Sequence, residues 1–193
     1  EKSGVYVFAG SNVSGNEIAT AEKLQKSGHF HFAEPNYRLR LNQGPKQINE
    51  PPRDPMWLEL WGLKNYGQDT ARGTEGVRGA DIEALKAWTV SRGSKDVIVA
   101  VIDTGIDYTH PDLRNNIWIN QLEAAGTPGV DDDGNGLVDD VYGWDFDGGN
   151  SSVFDGVGDD HGTHVAGTIG GVGGNGKGVA GVCWNVKLMD AKF

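Results

Sequence analysis

An aspartate at the end of an apolar run and a histidine at the start of a helical pattern are the residues of this sequence best suited to chemistry. Asp103 ends the run Val97–Ile102, and Gly105 then lets the backbone turn. His161 begins a segment with helical apolar spacing. An imidazole acts as a general base near neutral pH when a carboxylate holds one of its nitrogens. The pair therefore predicts general acid–base chemistry, although no serine of the chain has a recognisable activated setting. An ordinary strand cap is the alternative for Asp103.

A second group of polar residues has the spacing of a calcium-binding loop. In the segment 131–140, alternate residues offer carboxylate, amide and carbonyl oxygens, and Gly136 supplies a sharp turn. The predicted ligands are Asp131, Asp133, Asn135, Leu137 through its carbonyl, and Asp139. Tyr142 stands where an EF-hand has its bidentate glutamate, so the loop is not an EF-hand. The sequence predicts a calcium loop of another kind, with a solvated acidic turn as the alternative.

Two further patterns suggest chemistry that their context does not support. Asp103, His161 and His164 would suit a metal-dependent hydrolase, but zinc-binding helices place two histidines four residues apart with a glutamate between them. The glycine-rich segment 171–178 resembles a phosphate-binding loop, but a helix is predicted before it and Gly178 replaces the hydroxyl that would bind magnesium. We therefore interpret His164 as structural and keep the metal-dependent hydrolase as a third hypothesis.

The predicted elements bring Asp103 and His161 to one edge of a sheet. The run Val97–Ile102 predicts a fully buried parallel strand, and a helix is predicted from His161 onwards. Two further strands and a second helix are predicted at 141–146, 186–189 and 81–88. Functional residues of such sheets lie at the carboxyl ends of the strands. The pattern is that of an α/β fold.

The chain divides by composition into two units and a connecting segment. Residues 1–41 have the pattern of strand, helix and strand, with Gly28 ending the helix, and predict a small α+β unit. Residues 42–55 are rich in proline and polar side chains, as linkers are. Residues 56–193 carry the α/β pattern. Because the last residues fall within a predicted strand, we expect this unit to continue beyond Phe193.

Composition argues against several classes of function. The chain has 193 residues and a net charge of −10, which does not suit a nucleic-acid-binding surface. Its single cysteine, Cys183, excludes an internal disulfide and fits a core position. No apolar run has the length of a transmembrane helix, and no signal peptide stands at the start. We expect a monomer without a nucleic-acid or membrane partner.

Two blocks of the sequence resemble motifs of the subtilisin-like serine proteases, the subtilases. The block Val99–Asp107, followed by His-Pro-Asp-Leu at 110–113, is similar to the aspartate motif of that family. The block His161–Thr168 is similar to its histidine motif. The two blocks also stand in the family's order. The resemblance implies a helix-flanked parallel sheet, of which this chain holds the N-terminal half.

The resemblance assigns roles to the two candidate residues. It implies that Asp103 orients the histidine and that His161 is the general base and acid. The catalytic serine and the oxyanion asparagine would lie beyond Phe193, so this chain alone would be inactive. Asp160 departs from the small residue more usual in the family. Its charge should favour the protonated imidazole of His161.

The resemblance extends to the rest of the chain. Residues 1–41 resemble the C-terminal part of the family's propeptide, which is an inhibitor and folding chaperone, and 42–55 would contain the processing site. A family calcium site is implied at Asp112, Asn175 and the carbonyls of Lys177 and Val179. The implied protein is a secreted, extracellular or periplasmic serine endopeptidase precursor. Its partners would be polypeptide substrates and its own propeptide. The alternative is a non-catalytic, calcium-stabilised pseudoenzyme or binding module on the same fold.

Overall fold

The computed structural model describes residues 17–28, 50–70 and 73–193. The chain divides into two units, Glu1–Gln43 and Gly44–Phe193. In the first unit, helix α1 spans Glu17–Lys26 and is followed by Gly28, whose φ of 73° is typical of a helix C-terminus. The predicted helix is thus confirmed. The two strands predicted within 1–41 lie outside the described residues.

The described part of the second unit is built on three parallel strands. They are β1, Gly93–Asp103; β2, Gly143–Asp145; and β3, Asn185–Lys192. Their order in the sheet is β1, β3, β2. The helices of this unit are α2, Ala84–Ala87; α3, Gln121–Ala125; and α4, Asp160–Gly170. None of the described helices is both long and apolar enough to cross a bilayer. A parallel sheet flanked by helices confirms the predicted α/β class.

The main core lies between the sheet and α4. Its buried side chains are Val101, Ile106, Leu113, Ala166, Val186 and Leu188. Cys183 packs against this core, as predicted. Burying each large aliphatic side chain stabilises the fold by about 1.5–3 kcal/mol. The core therefore holds α4 firmly on the sheet.

Strand β1 is less buried than its apolar sequence predicts. Val101 is 3% exposed, whereas Ile98 is 49% and Ile102 is 70% exposed. Successive side chains of a strand point to opposite faces, and only one face of β1 meets the core that includes α4. Within the described residues, β3 is the only strand paired with β1. The prediction of a fully buried strand is therefore wrong for this structure, because side chains on its second face meet no covering layer in the described ranges.

A second core surrounds the tryptophans that precede β1. Trp57, Leu63, Ala84, Trp88 and Ala180 are buried together. The indole N–H of Trp88 donates to the carbonyl of Val182 at 2.9 Å, which ties this core to the segment before β3. Helix α2 is shorter than the predicted 81–88. Asp81 accepts the N–H groups of Asn65 and Glu83, and Glu83 has a left-handed φ of 56°, so the helix begins only at Ala84.

Candidate functional site

The two candidate catalytic residues meet at the carboxyl end of the sheet. Asp103 is the last residue of β1, and His161 lies in the first turn of α4. The Nδ1 of His161 lies 2.7 Å from Oδ1 of Asp103. The same carboxylate oxygen accepts the N–H of Thr104 at 2.8 Å. The Asp103 side chain is 17% exposed and that of His161 is 69% exposed, so the histidine presents its ring to solvent.

The loop after Asp103 packs directly on the first turn of α4. A Cβ on Gly162 would lie 2.3 Å from the carbonyl oxygen of Gly105, so only a glycine permits this approach. The N–H of Gly162 donates to the hydroxyl of Thr104 at 3.1 Å. The hydroxyl of Thr163 accepts the N–H of Asp107 at 2.9 Å. These contacts fix the distance between strand end and helix start, and with it the distance between the two catalytic candidates.

Each residue of the Asp103–His161 pair shifts the pKa of the other. The hydrogen bond and charge of Asp103 raise the pKa of the His161 imidazole above 6.5, and the charge of Asp160 adds to that rise. The hydrogen bond from His161, together with that from Thr104, lowers the pKa of Asp103 below 3.8. The effect expected of Asp160 is therefore present. A carboxylate that holds Nδ1 leaves Nε2 as the nitrogen able to exchange a proton with another group.

A buried carboxylate on the neighbouring strand β3 holds the loop that follows Asp103. Asp190, on β3, is 4% exposed and accepts the N–H of Ile106 at 2.5 Å through Oδ2. Its Oδ1 has no hydrogen-bond partner within the described residues. Burial raises the pKa of Asp190 to about 7, against opposing contributions from the Ile106 hydrogen bond and the Lys192 charge. Asp190 is thus an acceptor that holds the turn after β1.

His164 does not join the pair in a metal-binding arrangement. It is exposed on α4, where its carbonyl accepts the hydroxyl of Thr168 at 3.1 Å. In the ranges that the structure describes, the one group of three carboxylate or imidazole ligands near enough to share an ion lies elsewhere. The hypothesis of a hydrolase whose metal is held by Asp103, His161 and His164 therefore has no structural support.

The calcium site implied by the family resemblance surrounds a buried carboxylate. Asp112 is 2% exposed. Its Oδ1 accepts the side-chain amide of Asn175 at 2.7 Å, and its Oδ2 accepts the N–H of Val179 at 2.8 Å. The N–H of Lys177 donates to Oδ1 of Asn175 at 2.7 Å. The structure thus brings Asp112 together with Asn175, Lys177 and Val179, which lie on the loop that follows α4. Carboxylate, amide and carbonyl oxygens are donors that suit Ca²⁺.

A cluster of three carboxylates lies beside the acidic loop. Glu123, Asp133 and Asp140 each have a carboxylate oxygen within 4.8 Å of the others. The side chain of Asn120 donates to Asp133 at 2.8 Å and to Asp140 at 2.7 Å. Burial raises the pKa of Asp140, and the charges of Asp133 and Glu123 also raise it. Oxygen donors that repel one another fit a divalent cation of the calcium type.

The sequence predicted Asp131, Asp133, Asn135, Leu137 and Asp139 as ligands of this loop. Of these, Asp133 belongs to the three-carboxylate cluster. Asp131 accepts three backbone N–H groups of its own loop, and Asp139 accepts the N–H of Gly129 at 2.8 Å. Asn135 donates from its amide to Asp133 and Asp140 and accepts the N–H of Leu137. The loop is thus organised by its own carboxylates.

Three acidic residues near these sites were not predicted as site residues from the sequence. Asp140 is the last residue of the predicted loop and directly follows the predicted ligand Asp139, so its position gave a usable signal. Glu123 lies on α3 and accepts N–H groups of the loop, but in sequence it looks like an ordinary surface glutamate. Asp54 lies in the proline-rich segment interpreted as a linker. It is 4% exposed, and its carboxylate accepts three successive N–H groups at 174–176 beside the Asp112 site.

Comparison with known proteins gives one family. The model of the subtilase family matches residues 94–193. The chain is similar to subtilisin-like protease 1 of Plasmodium vivax, with 53% identity over 94 residues, which are 49% of this chain and 15% of that protein.

Two further relatives match over more of the chain. Subtilisin-like protease 1 of Plasmodium berghei (strain Anka) is 36% identical over 153 residues, 79% of this chain and 24% of that protein. Fervidolysin of Fervidobacterium pennivorans is 30% identical over 164 residues, 83% of this chain and 20% of that protein. The chain thus spans less than a third of the length of each of these relatives.

Proposed function

The chain belongs to the subtilase family, and on that premise we propose that the protein containing it is a serine endopeptidase in which Asp103 and His161 are two members of the catalytic triad. The observation that carries this proposal is the 2.7 Å contact between Nδ1 of His161 and Oδ1 of Asp103. The contact lies at the carboxyl end of β1, where functional residues of parallel sheets gather. The proposal requires a catalytic serine supplied by a segment of the protein beyond residue 193.

The chemistry follows from the state of the imidazole. Asp103 holds the N–H at Nδ1, so Nε2 accepts the proton of the serine hydroxyl while the serine oxygen attacks the peptide carbonyl carbon. The imidazolium then donates that proton to the leaving amine, and the peptide C–N bond breaks. A water molecule repeats the sequence on the acyl-enzyme, and its proton passes through Nε2 to the serine. The lowered pKa of Asp103 keeps its carboxylate charged while the imidazolium exists.

We further propose that Ca²⁺ stabilises two loops of this domain. One site would use Asp112, Asn175 and the carbonyls of Lys177 and Val179, with Asp54 close to the same loop. The other would use Glu123, Asp133 and Asp140, with further donors from the loop residues Asp131, Asn135, Leu137 and Asp139. Bound Ca²⁺ would supply positive charge that offsets repulsion among these carboxylates. We also propose an extracellular or periplasmic location, where calcium-binding modules commonly have dissociation constants of about 10⁻⁴–10⁻³ M.

The N-terminal unit fits the role of a propeptide. We propose that 1–41 is the C-terminal part of an inhibitory propeptide, that processing occurs within 42–55, and that the mature monomer acts on polypeptides. Support comes from the resemblance of residues 1–41 to the family's propeptide and from the division of the chain near Gln43.

Covalent labelling of the intact protein tests the proposed activity. We expect a serine-directed phosphonate to label the wild-type protein and to block its hydrolysis of a peptide substrate. His161→Ala should lower turnover by a factor on the order of 10⁶. The matched control, His164→Ala, changes an exposed histidine on the same helix and should keep most of the activity. A folded, calcium-loaded protein that neither reacts nor hydrolyses peptides would instead be a non-catalytic calcium-stabilised module.

A further inference from the structure

A lysine lies beside the catalytic aspartate but does not contact it. Lys192, the last residue of β3, is paired in register with Asp103 on β1 and with Asp145 on β2. Its side chain is only 12% exposed, although lysine is among the residues least often buried. An ammonium with so little exposure to solvent needs anionic partners, so its contacts indicate what it does.

The Lys192 ammonium joins β3 to the segment that leads into α4. It donates to Oδ2 of Asp159 at 3.0 Å and to the carboxylate of Asp155. Asp145 lies farther away, at 4.0 Å. Asp155 also donates its backbone N–H to Oδ2 of Asp159, which closes this segment on itself. One positive charge thus holds several carboxylates that would otherwise repel one another.

Asp159 connects the Lys192 contacts to the first turn of α4, which carries His161. It directly precedes α4, two residues before His161, and is 7% exposed. Its carbonyl accepts the hydroxyl of Thr163 at 3.1 Å, and the same hydroxyl accepts the N–H of Asp107 from the Asp103 loop. The segment held by Lys192 is therefore continuous with the contacts that set the distance between Asp103 and His161.

We propose that Lys192 is a positioning residue that fixes the first turn of α4 and so keeps His161 on Asp103. The inference rests on the proposed peptidase function for its kinetic consequence, but the position of His161 does not depend on that function. Without the ammonium, Asp159 is a buried carboxylate lacking its cation, and the segment 155–159 must open to hydrate it. Misplacement of a catalytic group by about 1 Å lowers the rate by roughly 10²-fold.

The test compares Lys192→Met with Lys192→Arg in the intact protein. Lys192→Met should lower kcat by about 10–100-fold with KM unchanged, because substrate contacts stay and the base moves. The proton on Nδ1 of His161, observed by NMR and assigned by its loss in His161→Ala, should broaden or disappear. Lys192→Arg restores the positive charge, so it should recover both kcat and the Nδ1 proton signal of His161. The matched control, Lys187→Met, removes an exposed lysine from the same strand and should behave as the wild type.

A milder variant covers the case in which Lys192→Met does not fold. The Asp155 side chain is 56% exposed, so Asp155→Asn weakens the Lys192 contact without burying a new group. It should lower kcat several-fold and broaden the Nδ1 proton signal. An unchanged Nδ1 proton signal in folded Lys192→Met or in Asp155→Asn, even with a lower melting temperature, overturns the proposal. If the wild-type protein shows no peptidase activity, the proposed function fails and the NMR signal alone decides the role of Lys192.

Discussion

His161 retains its proton to a higher pH than a free histidine because Asp103 stabilises the imidazolium. Since the folded-state pKa of His161 is raised, its contribution to stability is complete below pH 6.5 and is lost as the pH rises through the folded-state value. The pKa of Asp103 is lowered, so its contribution is complete above 3.8 and is lost as the pH falls through its folded-state value. The ion pair therefore strengthens the fold at mildly acidic pH. The proposed mechanism needs neutral His161, so we expect activity to develop only as the pH rises past that window.

Replacement of Asp103 by asparagine separates orientation from charge. In Asp103→Asn the His161 pKa should fall towards 6.5, so the acid limb of the kcat/KM profile should move to lower pH. The rate itself should drop by a factor on the order of 10⁴, because an amide can favour the wrong tautomer. Asp160→Asn is the matched control, since Asp160 is exposed and adds only charge. Asp160→Asn should move the acid limb of the kcat/KM profile slightly and leave the rate nearly unchanged. An acid limb that stays in place in Asp103→Asn would mean that Asp103 does not set the titration of His161.

Among the elements, those with a strong local pattern could be predicted and their surroundings could not. Strand β1 and helix α4 were expected near their observed positions because apolar spacing is a local property of the sequence. The exposure of one face of β1 was not expected, since burial depends on which elements cover the sheet. Helix α2 starts late because Asp81 bonds to Asn65, a contact across the chain that no local pattern reveals.

The contact of α4 with the Asp103 loop makes Gly162 sensitive to a single methyl group. Gly162→Ala would place a Cβ 2.3 Å from a backbone oxygen, so helix and loop must separate. We expect a loss of about 1–3 kcal/mol in the free energy of unfolding and a marked fall in kcat. Alanine favours helices more than glycine does, so propensity alone predicts the opposite change in stability.

A neighbouring glycine provides the control for this experiment. A Cβ on Gly158 would meet no atom within 4 Å, so Gly158→Ala should leave both unfolding and kcat nearly unchanged. Chemical denaturation and steady-state kinetics measure the two effects. Equal stability of Gly162→Ala and the wild type would show that the helix can shift without disturbing the loop.

Across the whole molecule, the candidate sites differ in how many of their residues could be predicted from the sequence. The Asp103–His161 pair could be predicted because each residue sits in a motif with its own strand or helix pattern. The acidic cluster could be predicted only in part, because Glu123 reaches it from α3 and has no distinctive neighbours in sequence. Asp54 was missed for the same reason, since its contacts at 174–176 are far along the chain. Residues that complete a site from a distance are set by the fold.

The net charge of −10 and the two proposed calcium sites lead us to predict that the molecule loses stability when calcium is removed. Ca²⁺ at about 100 times its Kd stabilises a folded protein by about 2.7 kcal/mol per site. A chelator should therefore lower the melting temperature by roughly 5–10 °C per site in a domain of this size.

Differential scanning calorimetry with Ca²⁺, and with Mg²⁺ at equal ionic strength, separates specific binding from charge screening. Glu123→Gln should reduce the response to Ca²⁺, whereas Glu75→Gln, an exposed residue outside both sites, should retain it. Equal melting temperatures in Ca²⁺, Mg²⁺ and chelator would mean that the acidic loops are held by their own hydrogen bonds.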